Sequence, residues 1–223
     1  LPEGPRPASF APESILVDRI RSHVSRTGSE ADPDSLAAGL PVPDSTWVRS
    51  VQTGARQARL IWTVPLGAVA RERFPAVRVW NAGVNDAIAF QLREREGLAY
   101  SIGSSVRRLD DGTVLWSAGA GCATENLARI LEGFAQELER ATRSAPDSLA
   151  VARQGVQLYG RSLMRRATRM NRAYAAGLAV LDGRDPGVID REIRAPMEVR
   201  RENVESVLPE LRATRPGLVV VAY

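Results

Sequence analysis

An arginine and a tyrosine lie on either side of a glycine in the segment LREREGLAYSIGSS, residues 92 to 105. Arg93 offers a planar fork of donors suited to a carbonyl or a carboxylate, and Tyr100 offers a hydroxyl on a rigid ring. If both side chains face one cleft, they could hold a peptide backbone or help to stabilise an oxyanion. A purely structural role is the alternative, because the helix dipole favours an arginine at a helix C-terminus and Gly97 suits a left-handed helix end.

Neighbouring acidic residues are a weaker sign of chemistry. Asp110 and Asp111 are adjacent, and Glu94 and Glu96 flank a single residue, so either pair could act as general acids. Neighbours of this kind are more typical of a turn or of a solvated helix end. We therefore expect these four side chains to be mostly hydrated.

Three further features of the sequence are better explained by ordinary structure than by a binding or catalytic site. GAGC, residues 119 to 122, has the glycines of a phosphate loop, but no Lys-Ser or Lys-Thr pair follows it. Arg165 and Arg166 indicate a basic helix face, which is usually solvated surface. Cys122 lies among small residues and is expected to be a buried, inert thiol.

Residue counts exclude several classes of function. His23 is the single histidine, so a helical His-Glu-x-x-His zinc pair cannot form on this chain, and a single cysteine excludes an internal disulfide or a cysteine-cluster metal site. The 30 basic residues are all arginine and are interleaved with 26 acidic ones, for a net charge of +4. The sequence has no dense block of basic residues of the kind that binds the phosphates of a nucleic acid, so nucleic-acid binding is not expected. No apolar run reaches the roughly 18 to 20 residues that a membrane span requires.

The elements that must position Arg93 and Tyr100 follow from periodicity. Apolar residues recur at three- and four-residue steps from Pro75 to Arg95 and predict a helix packed on one face. Gly97 then ends that helix, and residues 98 to 107 alternate as a strand. LDDG turns this strand into the next one, residues 113 to 120.

The rest of the chain alternates between strand and helix patterns in mixed order. Such an order predicts an α+β layer with an antiparallel or mixed sheet. The first 49 residues, by contrast, are rich in Pro and read as an extended segment and linker. The remaining predicted elements are a strand over 58–67 ended by Pro65 and Gly67, a helix capped by Thr124, a helical region over 147–181 broken near 165–168, a short helix over 186–192, a helix capped by Asn203, and a strand over 217–223.

The segment LREREGLAYSIGSS closely resembles the Leu-Arg-Glu-x-x-Gly-Leu-Ala-Tyr-Ser signature of the M16 metallopeptidases, the insulinase, pitrilysin and mitochondrial processing peptidase family. The match is to the half that does not bind zinc. The strand ARLIWTVP, the segment GAGCATENLARILEGFAQEL and the closing NVESVLPELRATRPGLVVVAY agree in order, so the resemblance covers residues 50 to 223. It implies a sandwich with a mixed, mainly antiparallel sheet covered by helices on one face.

The resemblance also implies a division of labour. In that family one half carries an inverted His-x-x-Glu-His zinc motif, and the inactive half supplies an arginine and a tyrosine that reach the substrate near the zinc. Arg93 and Tyr100 have that spacing and identity. No cofactor is then expected on this chain, and zinc is expected on a partner, either a separate M16 subunit or the N-terminal half of one processed precursor.

The expected substrate is an unfolded peptide, held in a chamber of which this chain forms one wall. The absence of an initiating methionine and the poor agreement before residue 50 fit a fragment of a longer, processed chain. A structural scaffold is the alternative, since M16-like subunits also serve as core proteins of respiratory complexes without proteolysis.

Overall fold

The computed structural model describes residues 47–51, 57–181, 183–212 and 217–222. Residues 1–46 of the predicted Pro-rich segment and linker lie outside these ranges. The described strands are β1 (Trp47–Val51), β2 (Ala58–Ala68), β3 (Ala99–Arg108), β4 (Thr113–Cys122) and β5 (Leu218–Ala222). The described helices are α1 (Phe74–Ile88), α2 (Leu127–Arg143), α3 (Ser148–Arg165), α4 (Arg169–Leu181), α5 (Val188–Glu198) and α6 (Arg201–Arg212).

The strands form one sheet in the order β1-β5-β2-β4-β3. β1 is parallel to β5, and every other neighbouring pair is antiparallel. β3 and β4 form a hairpin, and Gly112 occupies its turn with φ 89°, a backbone conformation that strongly favours glycine. The last strand of the chain thus lies inside the sheet, between the first two.

Helices cover one face of this sheet, as the fold class predicted. Along β2 the side chains of Leu60, Trp62 and Val64 are buried, whereas Ile61 between them is 42% exposed. This alternation is typical of a strand with one face on the core and the other open. The α+β sandwich with a mixed, mainly antiparallel sheet is therefore confirmed.

The helices form two layers on the covered face. α1 lies against β3, and α2 and α6 lie against β2, which makes these three helices the inner layer. α3 and α5 pack on the outer side of α1, and α4 contacts α5. In the core, the rings of Trp62 and Trp116 meet edge to face at 5.6 Å, and the indole N–H of Trp80 donates to the carbonyl of Ala141 at 2.9 Å.

The predicted strand over 58–67 agrees with β2 to one residue, with Pro65 inside it at the point where the pairing with β4 shifts register and a residue without an N–H is tolerated. Two predicted helix caps were wrong. Thr124 begins a short 3₁₀ turn and does not cap α2. Asn203 lies inside the first turn of α6, where its Oδ1 accepts the backbone N–H of Arg200 at 2.8 Å. The break of the long helical region at 166–168 is confirmed.

Candidate functional site

Arg93 lies in an irregular last turn of the first helix. After Ile88 the helix continues as a π-helical turn over Ala89–Arg95, in which the N–H of Glu96 bonds the carbonyl of Gln91 at 3.2 Å. Wide turns of this kind occur often at functional sites because they redirect side chains. The turn leaves Leu92 fully buried and Arg93 exposed.

Among the residues that the structure describes, the guanidinium of Arg93 pairs with its neighbour in sequence, Glu94. Its Nε donates to Oε1 of Glu94 at 2.9 Å, and its Nη2 lies 2.8 Å from the same oxygen. The Arg93 side chain is 43% exposed and that of Glu94 is 58% exposed. An exposed ion pair is worth only about 0.2 to 1 kcal/mol, so the fork is readily exchanged onto another acceptor.

The turn between Arg93 and Tyr100 has a fixed shape. Gly97 has φ 66°, as its position predicted, and a Cβ placed there would meet nothing within 4 Å. The N–H of Leu98 reaches back to the carbonyl of Leu92 at 2.9 Å, and the side-chain amide of Asn126 donates to the carbonyl of Leu98 at 3.1 Å. Backbone and side-chain bonds together therefore hold this crossing from helix to strand.

Tyr100 is the extra residue of a β-bulge. Ala99 pairs with Cys122 and Ser101 pairs with Gly121. Two residues along β3 therefore match one residue along β4, and Tyr100 has no pairing partner on β4. Its side chain is 69% exposed. Bulges re-aim a side chain out of the regular alternation of a strand and are frequent beside active sites.

Glu96 ties this turn to α2, which sequence reasoning missed. Arg129 donates from Nη2 to Oε1 at 2.8 Å and from Nε to Oε2 at 3.0 Å, and Gln91 donates to Oε1 at 2.7 Å. Partial burial alone would raise the pKa of Glu96, but the bonds from Gln91 and Arg129 and the charges of Arg129 and Arg95 outweigh it and lower that pKa. The expectation of a mostly solvated Glu96 was therefore wrong.

A second residue that the sequence did not single out is Phe90. It lies in the same π-helical turn as Arg93, and 60% of its side chain is exposed. The signal was available, since Phe90 falls between the buried positions Ile88 and Leu92 on a one-sided helix. It adds an apolar ring to the surface beside the arginine.

The middle of strand β3, at the edge of the sheet, is partly closed by α1. Oδ1 of Asn85 accepts the backbone N–H of Ser104 at 2.8 Å, and Oδ1 of Asn81 accepts its hydroxyl at 3.0 Å. These contacts occupy the outward-facing N–H at the centre of the strand. An additional strand therefore cannot pair along the full length of this edge.

The other sequence candidates lie within ordinary structure. GAGC forms the end of β4, so it is a strand rather than a phosphate loop. Asp111 accepts the N–H of Thr113 at 2.9 Å in the hairpin turn. Cys122 is buried, and burial together with the charge of Glu125 raises the pKa of its thiol, as an inert cysteine requires.

Neither a metal site nor a membrane span is found in the part of the chain that the structure describes. No three His, Cys, Asp or Glu side chains among those residues are grouped as ligands for a metal ion. No helix there is long and apolar enough to cross a bilayer. Within the described ranges, the side chains therefore form no zinc site.

The sequence matches the family described as the Peptidase M16 inactive domain over residues 13–154. The chain therefore belongs to this family, and the resemblance of the LREREGLAYSIGSS segment is confirmed. It is an inactive domain of the M16 metallopeptidases. No curated protein matches the sequence significantly.

Solved structures share the fold at low sequence identity. The periplasmic protease PqqL from Escherichia coli is 16% identical with a TM-score of 0.63, over 96% of this chain and 24% of that one. A peptidase M16 inactive domain from Pseudomonas fluorescens is 15% identical with a TM-score of 0.63, over 82% of this chain and 45% of that one. A protease from Helicobacter pylori is 11% identical with a TM-score of 0.60, over 94% and 52%. This chain thus spans between a quarter and a half of the length of these three proteins.

Proposed function

We propose that this chain is the non-catalytic half of an M16-type zinc peptidase, that it forms one wall of the peptide chamber, and that Arg93 and Tyr100 contact the substrate. In this proposal residues 50–223 are the inactive domain and residues 1–49 precede it as a Pro-rich segment. Zinc and its ligands belong to a partner half, which is either a separate subunit or another part of the same precursor. The substrate is an unfolded peptide.

The observation that carries the proposal is the placement of Tyr100 in a bulge. A strand that only had to pair with β4 would need no extra residue, and a ring that is 69% exposed contributes little to the core. Arg93 is partly exposed, and within the described ranges its guanidinium pairs with the exposed carboxylate of Glu94 alone. Both side chains are therefore available to a ligand.

The two side chains suit complementary contacts with an extended peptide. The Arg93 fork can donate to a backbone carbonyl or a carboxylate, and the Tyr100 hydroxyl can donate to a carbonyl as negative charge develops on its oxygen. Because Asn85 occupies the N–H of Ser104, any added strand pairs with only part of β3. Recognition of the peptide by this chain therefore depends on a few side-chain contacts more than on a long series of backbone hydrogen bonds to β3.

The test is peptide cleavage by the chain mixed with its zinc-bearing partner. We expect Arg93→Ala and Tyr100→Phe each to lower kcat about 100- to 1,000-fold, the scale of losing one donor to a developing oxyanion. Tyr159→Phe is the control, because it removes the hydroxyl of a half-buried tyrosine on α3 that belongs neither to the proposed substrate contacts nor to α4. Unchanged cleavage by both site variants would remove the assigned role and leave a scaffold.

A further inference from the structure

Helix α4 turns its large apolar side chains away from the domain. Ala179 is buried and Ala175 and Ala176 are half-buried, so small residues face the protein. On the opposite side lies a row that we call the α4 stripe. Its members are Met170 (79% exposed), Tyr174 (69%), Leu178 (43%) and Leu181 (83%).

The α4 stripe is long and continuous for a surface of a single domain. Its members are spaced by four, four and three residues, which places them on one side of the helix over about 16 Å. A helix this short gains most of its stability from packing, yet Ala179 is its single buried residue. Contiguous apolar surface of this kind usually marks an interaction site.

The surface at the N-terminal end of the stripe is strongly basic. Residues 148–181 contain six arginines and no acidic residue. Four of these arginines, Arg165, Arg166, Arg169 and Arg172, lie at the α3–α4 turn, and none of them takes part in an ion pair among the described residues. A second copy of this surface would bring like charges together, so the complementary partner is acidic.

Two features indicate a protein helix as the partner. Gly177 lies beside the stripe with open space within 4 Å of where a Cβ would be, and Ala173 precedes it by one helical turn, so another helix can approach closely. The three similar structures described above belong to chains two to four times longer than the region they share with this one. In those chains further protein accompanies this fold.

We propose that the α4 stripe docks an amphipathic helix of a second protein domain, with apolar residues at its centre and acidic residues on its flanks. The stripe inserts between the partner's apolar side chains, and the arginines at the α3–α4 turn pair with its carboxylates. This contact does not depend on Arg93, Tyr100 or a zinc-bearing half. It is a docking surface separate from the proposed substrate contacts.

The probe is a synthetic, fluorescently labelled helical peptide with leucines at heptad core positions and glutamates on its flanks. Its binding to the whole chain is followed by fluorescence anisotropy, beside a peptide with arginine flanks. We expect the acidic peptide to bind, with an affinity that falls as salt rises, and the basic peptide to bind far more weakly. Failure of the acidic peptide to bind, or equal binding of the two peptides, would overturn the proposal.

Matched variants assign the binding to the stripe. We expect Leu181→Ser and Tyr174→Ser each to weaken the acidic peptide about tenfold, the size of an interface hot spot. Leu149→Ser at the start of α3 removes an equally exposed leucine (80% against 83%) and should leave binding unchanged. All three sites are exposed, and circular dichroism verifies that the variants fold. An equal loss with Leu149→Ser would contradict a specific stripe.

Two further measurements distinguish other occupants. Stripe-dependent pelleting of the chain with phosphatidylserine-containing vesicles, without peptide binding, would replace the protein helix by an anionic lipid surface. A stripe-dependent dimer in sedimentation velocity would replace it by a second copy of this chain. The proposal expects neither result, and no zinc-bearing partner enters either assay, so failure here leaves the peptidase proposal untouched.

Discussion

The ion pair between Glu96 and Arg129 gives a prediction that can be worked out in detail. It joins the turn before β3 to helix α2 through two hydrogen bonds, from Nη2 at 2.8 Å and from Nε at 3.0 Å. The perturbations are Arg129→Ala and Glu96→Gln, made singly and together. A double-mutant cycle is needed because Arg129 also lies 3.4 Å from Glu132, so the single variant removes more than one contact.

The expected coupling follows from geometry and exposure. The two side chains are 37% and 24% exposed, so water screens the pair only in part. Exposed pairs contribute about 0.2 to 1 kcal/mol, and a two-pronged arginine–carboxylate contact belongs near the upper end, at about 1 kcal/mol. For a chain of this length a loss of about 1 kcal/mol lowers Tm by roughly 2 to 4 °C.

The pH dependence has a defined sign. The pKa of Glu96 in the folded chain is lowered from its ordinary value of 4.5, so the folded state favours the charged carboxylate. Its stabilising contribution is fully present above that ordinary value and is lost as pH falls through the lowered pKa. The coupling should therefore be near 1 kcal/mol at neutral pH and vanish in strong acid.

The assay is urea unfolding of the four proteins at neutral and at acid pH. The Arg201–Glu205 pair on α6 is the control, because its side chains are 46% and 47% exposed and lie four residues apart, so it should couple by about 0.2 to 0.5 kcal/mol. A coupling of zero at neutral pH would refute the bidentate contact. A coupling of unchanged size in acid would refute its ionic character.

Two further predictions concern backbone geometry, and urea unfolding tests both. Gly97→Ala should lower the free energy of unfolding by about 1 to 2 kcal/mol, because φ is 66° there. Gly160→Ala, in helix α3 with equally open surroundings, should raise it by about 0.5 to 1 kcal/mol. Losses of equal size in the two variants would show that φ is not the cause. Asn85→Ala should cost about 1 kcal/mol and speed amide exchange at Ser104, whose N–H it leaves unbonded. Asn85→Asp keeps the acceptor, so exchange as fast as in the alanine variant would contradict this account.

The parts of the fold that depend on local pattern were predictable from the sequence. The stripe that includes Val77, Trp80 and Val84 set the first helix, Gly97 set its end, and LDDG set the hairpin, because each depends on residues close together in the chain. The break after Arg165 was predictable for the same reason. Periodicity and turn residues carry this information without knowledge of distant contacts.

The parts that depend on distant contacts were not predictable. The position of β5 between β1 and β2 is set by pairing across most of the chain, and no local pattern encodes it. The bond from Arg129 to Glu96 joins residues 33 apart, so Glu96 is partly buried although the run of charges that contains it predicted a solvated side chain. Thr124 and Asn203 have good capping chemistry, but the turns that precede α2 and α6 place other residues at the helix starts.

Within the candidate site, the sequence identified Arg93 and Tyr100 through a resemblance and not through geometry. A bulge cannot be read from one strand alone, since it is defined by the partner, here the step from Cys122 to Gly121. For the exposed α4 stripe, by contrast, the sequence carried a pattern and the structure changed its interpretation. Its apolar spacing was visible in the sequence, but spacing alone favours a buried face, and only the fold reveals that the large side chains point outward.

The bulge at Tyr100 also determines what a one-residue deletion in β3 would do. Because Ser101 to Arg108 pair with β4 independently of the extra residue, a chain that lost Tyr100 alone would keep each later residue on its own side of the sheet. Loss of Ser101 or any later residue would instead move part of the strand to the wrong face. Tyr100 is thus the residue of β3 whose removal leaves the register of Ser101 to Arg108 against β4 unchanged.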